Sequence, residues 1–380
     1  MILTYRYRLL AGRLQYRALE AILEGQRQLY NAALEERIGA YRKAGVTRTY
    51  IDQCKALTEW RRSDVQATSV PVSLQRWTLK QLEEAYRGFF RRLKGGMEPG
   101  FPRFRGKGRF SSFGFREFSG IRLINGRLRF RGMPGGLRVH LHRPLPAVAN
   151  IRSCVIRRDV KGWSVGFAVD VPVAPPRPAI RAVGVDLGIS TFAALSDGGF
   201  IPSLKAARRN KRRLRTANRS LARTAPGSRG RQKARIALAR CHAKTARARL
   251  EYLRQAAARL VREYDVIVVE KLNVKGLAQG ALAKDVHDSS WGKFISILRY
   301  KAVCAGSRLI EVYPYDTSQD CSGCGARVPK TLRDRWHHCP QCGLLIDRDL
   351  NAARNILDRA GVGPGLLNVA DYGMRAGGNL

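Results

Sequence analysis

The sequence carries two cysteine pairs of the same form. Each pair reads C-x-x-C and is followed by glycine, in "CSGCG" (321–325) and "CPQCG" (339–343). Two thiolates of each pair can face one ion while the glycine supplies the turn, and four thiolates complete the tetrahedral shell that zinc prefers. The pattern therefore predicts a closed structural zinc site formed by Cys321, Cys324, Cys339 and Cys342, without an open position for a catalytic water.

Other interpretations of these cysteines are weaker. A redox-active dithiol would leave the second matched pair unexplained, and an iron centre of the rubredoxin kind is a minor alternative. His337 and His338 could compete as ligands, but the paired cysteines already fill the shell. The other four of the eight cysteines stand alone in unrelated contexts and are interpreted as buried or inert thiols.

Three carboxylates stand at positions where a charge needs an explanation. Asp186 in "AVGVDLGIS" and Glu270 in "DVIVVE" lie on predicted core strands, where burying an isolated carboxylate is costly. Asp349 begins a predicted helix and, taken alone, is interpreted as its N-cap, although Asp347 could be that cap instead. Together the three acids predict a site for two Mg²⁺ ions, which prefer oxygen ligands. Two such ions about 4 Å apart activate the attacking water and stabilise the leaving oxygen in phosphodiester hydrolysis.

The chain is strongly basic, with 70 Lys plus Arg against 29 Asp plus Glu and a formal net charge of +41 over 380 residues. A folded chain tolerates such a charge best when a polyanion neutralises it. A hybrid duplex of roughly 20 base pairs, with about 40 phosphates, suits this charge. A ribosomal-type RNA binder or an anionic membrane surface could also explain it. Lys205 to Arg249 contains no acidic residue and is predicted as a helical hairpin that turns near "APGSRG" and contacts phosphates.

Periodicity divides the chain into two halves. "ILTYRYRLL" predicts a strand, residues from about Gln15 to Lys94 predict helices, and four later alternating runs predict a small antiparallel barrel or sandwich that recruits the first strand. In the second helix, Leu79, Leu82, Ala85, Phe89 and Leu93 form a stripe predicted to pack in the core. The loop "PGFPRFRGKGRFSSFGF" could stack on bases or lie on the surface with buried Phe anchors. The Pro-rich "PVAPPRPAIR" is a linker into a mixed α/β half.

Several motifs together resemble one known family. "GVDLGIS", "VIVVEKLNVKGL", "HDSSWGKF", "TSQDCSGCG" and "CPQCGLLIDRDLNAARNIL" occur in this order and closely resemble the TnpB proteins of bacterial insertion sequences, relatives of the type V CRISPR effector nucleases. "AYRGFFRRLKGGMEPGFPRFRGKGRF" is similar to the family's helix and loop, so the likeness covers nearly the whole chain. The resemblance implies catalytic acids at Asp186, Glu270 and Asp349 that bind two Mg²⁺ ions, and zinc ligands at the four paired cysteines.

The resemblance also implies an architecture. An α/β RNase H-like (RuvC) nuclease domain carries a zinc ribbon inserted before its last carboxylate, and an N-terminal wedge β-barrel is interrupted by a helical recognition domain. The expected boundaries are 1–12 and 100–176 for the wedge, 13–99 for the recognition domain, 177–315 and 344–362 for the nuclease domain, 316–343 for the ribbon and 363–380 for a C-terminal tail. The ribbon would act as a rigid staple that sets where Asp349 meets Asp186 and Glu270.

By the same resemblance we expect an element-encoded, Mg²⁺-dependent DNA endonuclease. A guide RNA from its own element would direct it to double-stranded DNA beside a short flanking motif. Alternatives are a nuclease-inactive guided repressor, which would lose the acids, and a transposase acting on element ends, which would need no guide. A plain RNA scaffold has no use for buried acids. Because no run approaches about 18 consecutive apolar residues, we expect a soluble, cytoplasmic protein with no membrane partner. We further expect the protein to associate with the bacterial nucleoid and to be monomeric in its ribonucleoprotein.

Overall fold

The chain forms two compact units, Met1–Pro172 and Val173–Leu380. The computed structural model describes residues 1–146, 151–204, 206–273, 276, 289–331 and 334–361. Within these ranges no helix combines the length and the apolar character that crossing a membrane requires. The expected C-terminal tail, 363–380, lies outside the described residues.

The first unit contains a seven-stranded antiparallel sheet. Its strands are β1 (Ile2–Leu10), β2 (Ser112–Arg116), β3 (Ile121–Ile124), β4 (Arg127–Phe130), β5 (Leu137–His140), β6 (Ile151–Asp159) and β7 (Gly162–Asp170), in the order β2-β6-β7-β1-β5-β4-β3. Strand β1 is central, pairing with β7 on one side and β5 on the other, so the predicted recruitment of the first strand is confirmed. The sheet curls into a nearly closed barrel, because Phe115 on edge strand β2 contacts Phe130 on β4 with ring centroids 5.1 Å apart.

Three helices lie between β1 and β2: α1 (Arg13–Ala44), α2 (Tyr50–Ser63) and α3 (Val72–Lys94). Helix α1 ends at Ala44 and is followed by Gly45, whose φ of 65° is favourable for glycine and whose N–H donates to the carbonyl of Tyr41 at 2.9 Å. The predicted core stripe of α3 is only half right. Leu79 and Leu82 are buried, but Leu93 is exposed, because the C-terminal part of α3 extends past the hydrophobic core.

The second unit contains a mixed five-stranded sheet. Its strands are β8 (Ala182–Asp186), β9 (Thr191–Leu195), β10 (Phe200–Pro202), β11 (Val266–Glu270) and β12 (Arg308–Val312), in the order β10-β9-β8-β11-β12. Strand β11 runs parallel to both β8 and β12, whereas β9 is antiparallel to β8 and β10. All four valines and isoleucines from Val266 to Val269 are fully buried. The continuous apolar run therefore reflects burial on both faces, as predicted.

The described residues of the second unit also form four helices and a two-stranded sheet: α4 (Ala206–Ala222), α5 (Arg229–Glu263), α6 (Trp291–Ala305), α7 (Arg348–Asp358), β13 (Trp336–His338) and β14 (Leu345–Asp347). Helices α5 and α6 cover one face, and α7 packs on the other through Ile356. The predicted hairpin of α4 and α5 is confirmed. Its turn has Gly227 at a φ of 77°, and the Ser228 hydroxyl caps α5 by accepting from the Arg231 N–H at 3.0 Å.

Candidate functional site

Asp186 and Glu270 leave adjacent parallel strands at the same edge of the sheet. Val185 on β8 pairs with Val269 on β11, and the next residue on each strand is one of the two acids. Neighbouring strands lie about 4.8 Å apart, and residues paired in register point to the same face. The structure therefore brings together two side chains that are 84 residues apart in the sequence.

Asp349 approaches this edge because α7 lies unusually close to β8. A Cβ atom at Gly184 would lie 2.0 Å from the carbonyl oxygen of Ala353 and 2.8 Å from the nitrogen of Leu357, so only glycine permits this packing. Asp349 lies one helical turn before Ala353, and Asp186 lies two residues after Gly184. The charge of Asp349 contributes to the raised pKa of Asp186, so the two carboxylates lie within electrostatic reach of each other.

The electrostatics of the three carboxylates reflect this proximity. Burial, followed by the charges of Glu270 and then Asp349, raises the pKa of Asp186 to about 8. Burial is also the main cause that raises the pKa of Glu270 and that of Asp349. A cation bound among the three groups would favour their charged forms and lower these pKa values. The three carboxyl groups do not readily carry their negative charges at the same time unless a cation is present. Their oxygen atoms are therefore suited to bind hard divalent cations.

Glu270 and Asp349 each have a polar side chain beside their carboxylate. The Thr317 hydroxyl donates to Oε1 of Glu270, and Arg335 Nη1 lies 4.0 Å from Oδ2 of Asp349. Nη2 of Arg335 donates to the Ser190 hydroxyl at 3.0 Å. Sequence reasoning missed both partners. Thr317 stands just before the first cysteine pair in "TSQDC", whereas nothing in the local sequence marks Arg335.

The N-cap of α7 is Asp347, the second of the two interpretations considered from the sequence. Its Oδ1 accepts from the N–H groups of Asp349 and Leu350 at 2.8 and 3.2 Å. Strand β14 ends at this residue, so the two-stranded sheet of β13 and β14 leads directly into the helix that carries Asp349. The Asp349 side chain is therefore not needed as a cap.

The four paired cysteines form one compact cluster, with all four Sγ atoms within 4.8 Å of one another. Sγ of Cys321 lies 3.6 Å from that of Cys342, and Sγ of Cys324 lies 3.5 Å from that of Cys339. A tetrahedral zinc with Zn–S bonds of about 2.3 Å places its sulfurs about 3.8 Å apart. The N–H of Cys342 is the main cause that lowers the pKa of the Cys339 thiol to about 6. The pKa values of the Cys324 and Cys342 thiols are raised, so the spacing of the four sulfurs, and not their ionisation without a metal, is the feature that fits zinc.

No other group of three or more His, Cys, Asp or Glu side chains within the described ranges brings its ligand atoms this close. The three carboxylates are not among the groups that meet this spacing. His337 stays outside the cysteine cluster, since it is buried and its Nδ1 contacts Nζ of Lys330.

Two buried asparagines connect α7 to the segment before the first cysteine pair. Nδ2 of Asn351 donates to the carbonyl of Asp320 at 2.7 Å, and its Oδ1 accepts from the N–H of Ser322 at 3.0 Å. Asn355 donates to the carbonyl of Thr317 at 2.8 Å. The same helix thus fixes both the cysteine cluster and the threonine that bonds Glu270. Sequence reasoning missed these residues, although two Asn four apart in "LNAARN" were a visible signal.

Aromatic and cationic side chains adjoin the carboxylates. Glu270 pairs with Val312, and the next residues on the two strands are Lys271 and Tyr313. Nζ of Lys271 lies 5.3 Å from the Tyr313 ring centroid, and Tyr313 stacks with Tyr315 at 6.2 Å and 19°. Both tyrosines are exposed. Exposed rings beside a cation can stack with bases of a single strand.

Comparisons with known proteins identify relatives of this chain. Residues 166–281 match the protein family described as "Probable transposase", and residues 291–356 match "Cas12f1-like, TNB domain". A Streptomyces pristinaespiralis protein described as "Putative RNA-guided DNA endonuclease" is 34% identical over 343 residues, covering 87% of this chain and 82% of that protein. "Putative RNA-guided DNA endonuclease InsQ" of Escherichia coli K12 is 25% identical over 373 residues, covering 93% and 91%.

A solved structure resembles the whole fold. In the "Cryo-EM structure of the Cas12f1-sgRNA-target DNA complex", the matching chain has a TM-score of 0.58 at 13% identity, with 91% of this chain and 83% of that chain covered. Fold, cysteine cluster and relatives together define a protein of the transposase and RNA-guided endonuclease class. The chain belongs to the TnpB family, as its motif order indicated.

Proposed function

We propose that this protein is an RNA-guided DNA endonuclease encoded by a transposable element, which hydrolyses DNA phosphodiesters at Asp186, Glu270 and Asp349. The observation that carries the proposal is the convergence of three carboxylates from distant parts of the chain, with the pKa of Asp186 raised to about 8 by burial and by the other two. Relatives covering most of the chain bear the description of such an enzyme.

The three carboxylates would hold two Mg²⁺ ions. When bound, the ions would activate the attacking water and stabilise the leaving oxygen. Thr317 orients the Glu270 carboxylate through its hydrogen bond, and Arg335 lies beside Asp349. The fold of this domain would be RNase H-like (RuvC), spanning 177–315 and 344–362, with the ribbon at 316–343 as its insertion.

The four cysteines would hold zinc with a structural role. Zinc would rigidify the segment between Cys321 and Cys342, and Asn351 and Asn355 transmit this rigidity to α7. The ribbon would thus act as a staple that sets the position of Asp349, because β13 within it pairs with β14, and β14 continues into α7. This geometry accounts for the short spacing between the second cysteine pair, Cys339 and Cys342, and the acids Asp347 and Asp349.

The partners we propose are a guide RNA from the element itself and double-stranded DNA with a short flanking motif. Exposed cations of α4 and α5, where Lys211–Arg249 lacks any acid, would contact phosphates. The wedge at 1–12 and 100–176 and the recognition domain at 13–99 would hold the remaining backbone and the duplex motif. The protein would act as a monomer in its ribonucleoprotein, in the bacterial cytoplasm at the nucleoid.

The test is purification from cells carrying the native locus, sequencing of the bound RNA, and cleavage of a matched DNA target library with Mg²⁺. Asp186→Ala and Glu270→Ala should abolish cleavage and preserve binding of RNA and DNA. Full residual cutting by either variant contradicts the assignment. Strand transfer of element ends without copurified RNA would favour a transposase instead.

A further inference from the structure

The first unit contains an aromatic cavity that the nuclease centre does not use. It lies between α1, the loop before α2, the C-terminal part of α3 and Phe101, and has a volume of 740 Å³. Pockets for small ligands commonly measure about 300–1,000 Å³. We call it the α1–α3 cavity.

The rings of this cavity are arranged edge to face and leave ring surface uncovered. Phe101 meets Phe89 at 5.3 Å and 80°, and meets Tyr86 at 5.7 Å and 84°. Phe90 and Phe101 are 52% and 47% exposed, and Tyr41 on α1 is 66% exposed. These rings belong to the part of α3 and the following loop that the core does not cover. Uncovered ring faces are surfaces on which another flat π-system can stack.

A buried cation faces the same cavity with one donor unused. Arg37 is 8% exposed, donates through Nε to Gln53 at 2.9 Å and through Nη1 to Glu83 at 3.0 Å. Its Nη2 is buried and has no hydrogen-bond partner among the described residues. A buried guanidinium donor without an acceptor is unfavourable. The guanidinium lies 5.1 Å from the centroid of the Tyr86 ring, so a ligand acceptor would reach Nη2 when that lining ring moves aside.

The charge of the lining selects the ligand class. Arg42, Arg48 and Arg87 line the cavity with Arg37, and Glu83 is the single acid among the lining residues. Glu83 pairs with both Arg37 and Arg87, and Arg48 pairs with Glu36 at 3.5 Å, so the excess of arginines still leaves the lining positive. The ligand should therefore combine a flat aromatic group with acceptor oxygens and negative charge. A nucleotide has all three, and stacking on aromatic side chains accommodates any base.

We propose that the α1–α3 cavity binds an unpaired nucleotide of the bound nucleic acid. The base stacks among Phe90, Phe101 and Tyr41, and Nη2 of Arg37 donates to an acceptor on the base or phosphate. The inference rests on the proposed function only in requiring a nucleic-acid partner, since no residue of the nuclease centre takes part. An unpaired guide RNA nucleotide and a displaced DNA nucleotide share this chemistry.

Photo-cross-linking of the full-length chain tests the proposal. Single-stranded hexamers containing 5-iodouridine (RNA) or 5-iododeoxyuridine (DNA) are irradiated with the protein in EDTA at about 0.3 M salt, which weakens phosphate contacts more than stacking. We expect adducts on the cavity rings. Phe90→Ala should reduce their yield about tenfold, while Phe90→Tyr keeps it. Phe104→Ala, at 55% exposure outside the cavity on the same loop as Phe101, is the matched control and should change nothing.

Each outcome decides the matter. Adducts with the RNA or the DNA hexamer support the proposal and identify which strand supplies the nucleotide. Adducts only outside the cavity, or an unchanged yield in a folded Phe90→Ala variant, overturn it, as does an acidic peptide that occupies the cavity when neither hexamer does. If the cavity fails while Asp186→Ala still abolishes cleavage, this inference falls and the proposed function stands. If neither RNA nor DNA binds the chain, both fall.

Discussion

Replacing Asp186 with asparagine should stabilise the metal-free protein at alkaline pH while it abolishes the proposed cleavage. Burial and the charges of Glu270 and Asp349 raise the pKa of Asp186 from an ordinary 3.8 to about 8. The folded protein therefore holds this proton more tightly than the unfolded chain does. Its free energy of unfolding falls as the pH rises from about 4 to about 8. A neutral asparagine of the same shape avoids this loss.

The size of the effect follows from the same pKa. The interval from 3.8 to about 8 corresponds to a ceiling of about 6 kcal/mol, at about 1.4 kcal/mol per pKa unit. Asp186 keeps part of its surface exposed to solvent, and local relaxation reduces the cost of ionising it. We therefore expect Asp186→Asn to raise the free energy of unfolding at alkaline pH by about 2–4 kcal/mol. For a unit of this size that corresponds to roughly 4–15 °C in the melting temperature.

The assay is thermal unfolding in EDTA from pH 5 to pH 9 for the wild type, Asp186→Asn and a control, Glu84→Gln, whose side chain is 57% exposed on α3. The stabilisation by Asp186→Asn should be largest above pH 8 and shrink towards pH 5, and Glu84→Gln should follow the wild type. Adding Mg²⁺ should raise the melting temperature of the wild type only, because the variant lacks a ligand. Coincident melting of wild type and Asp186→Asn at pH 8.5, with no gain from Mg²⁺, would refute this electrostatic argument.

Three further perturbations test the supports of the site. Cys321→Ser should lower both the amount of bound zinc and the melting temperature. A wild-type protein that contains no zinc, together with an unchanged melting curve for the variant, would count against the structural zinc site. Gly184→Ala should lower the free energy of unfolding by about 1–3 kcal/mol or more and reduce cleavage, because the new Cβ would lie 2.0 Å from the Ala353 carbonyl oxygen of α7. The control Gly166→Ala should have a mild effect, because its Cβ would lie 3.4 Å from the nearest atom. Equal unfolding curves for Gly184→Ala and the wild type would contradict the close packing of α7 on β8. Asn355→Ala should cost about 1–3 kcal/mol in chemical denaturation and lower kcat, since it removes the side-chain donor to the buried Thr317 carbonyl, while Asn351 still donates to the Asp320 carbonyl. An unaltered kcat would argue against the role of this helix in positioning Asp349.

Prediction from the sequence worked best where one local pattern determines the outcome. The C-x-x-C spacing brings two sulfurs together within each turn, and the four Sγ atoms do cluster. The alternation in β1 reflects a strand with one face more buried than the other, and the continuous apolar run in β11 reflects a strand that is buried on both faces. Prediction failed for Leu93, whose helical period is correct but whose exposure depends on where the neighbouring core ends.

By itself, the sequence determined the strands and helices, the zinc-type cysteine spacing, and the presence of carboxylates on core strands and at a helix start. These features depend on backbone periodicity and short-range geometry, which a few consecutive residues specify. Only the tertiary structure decided that Asp347 rather than Asp349 caps α7, that Thr317 bonds Glu270, and that Gly184 lets α7 lie against β8. The aromatic cavity belongs with them. Each of these depends on side chains from elements far apart in the chain, whose contacts are set by packing and not by any local period.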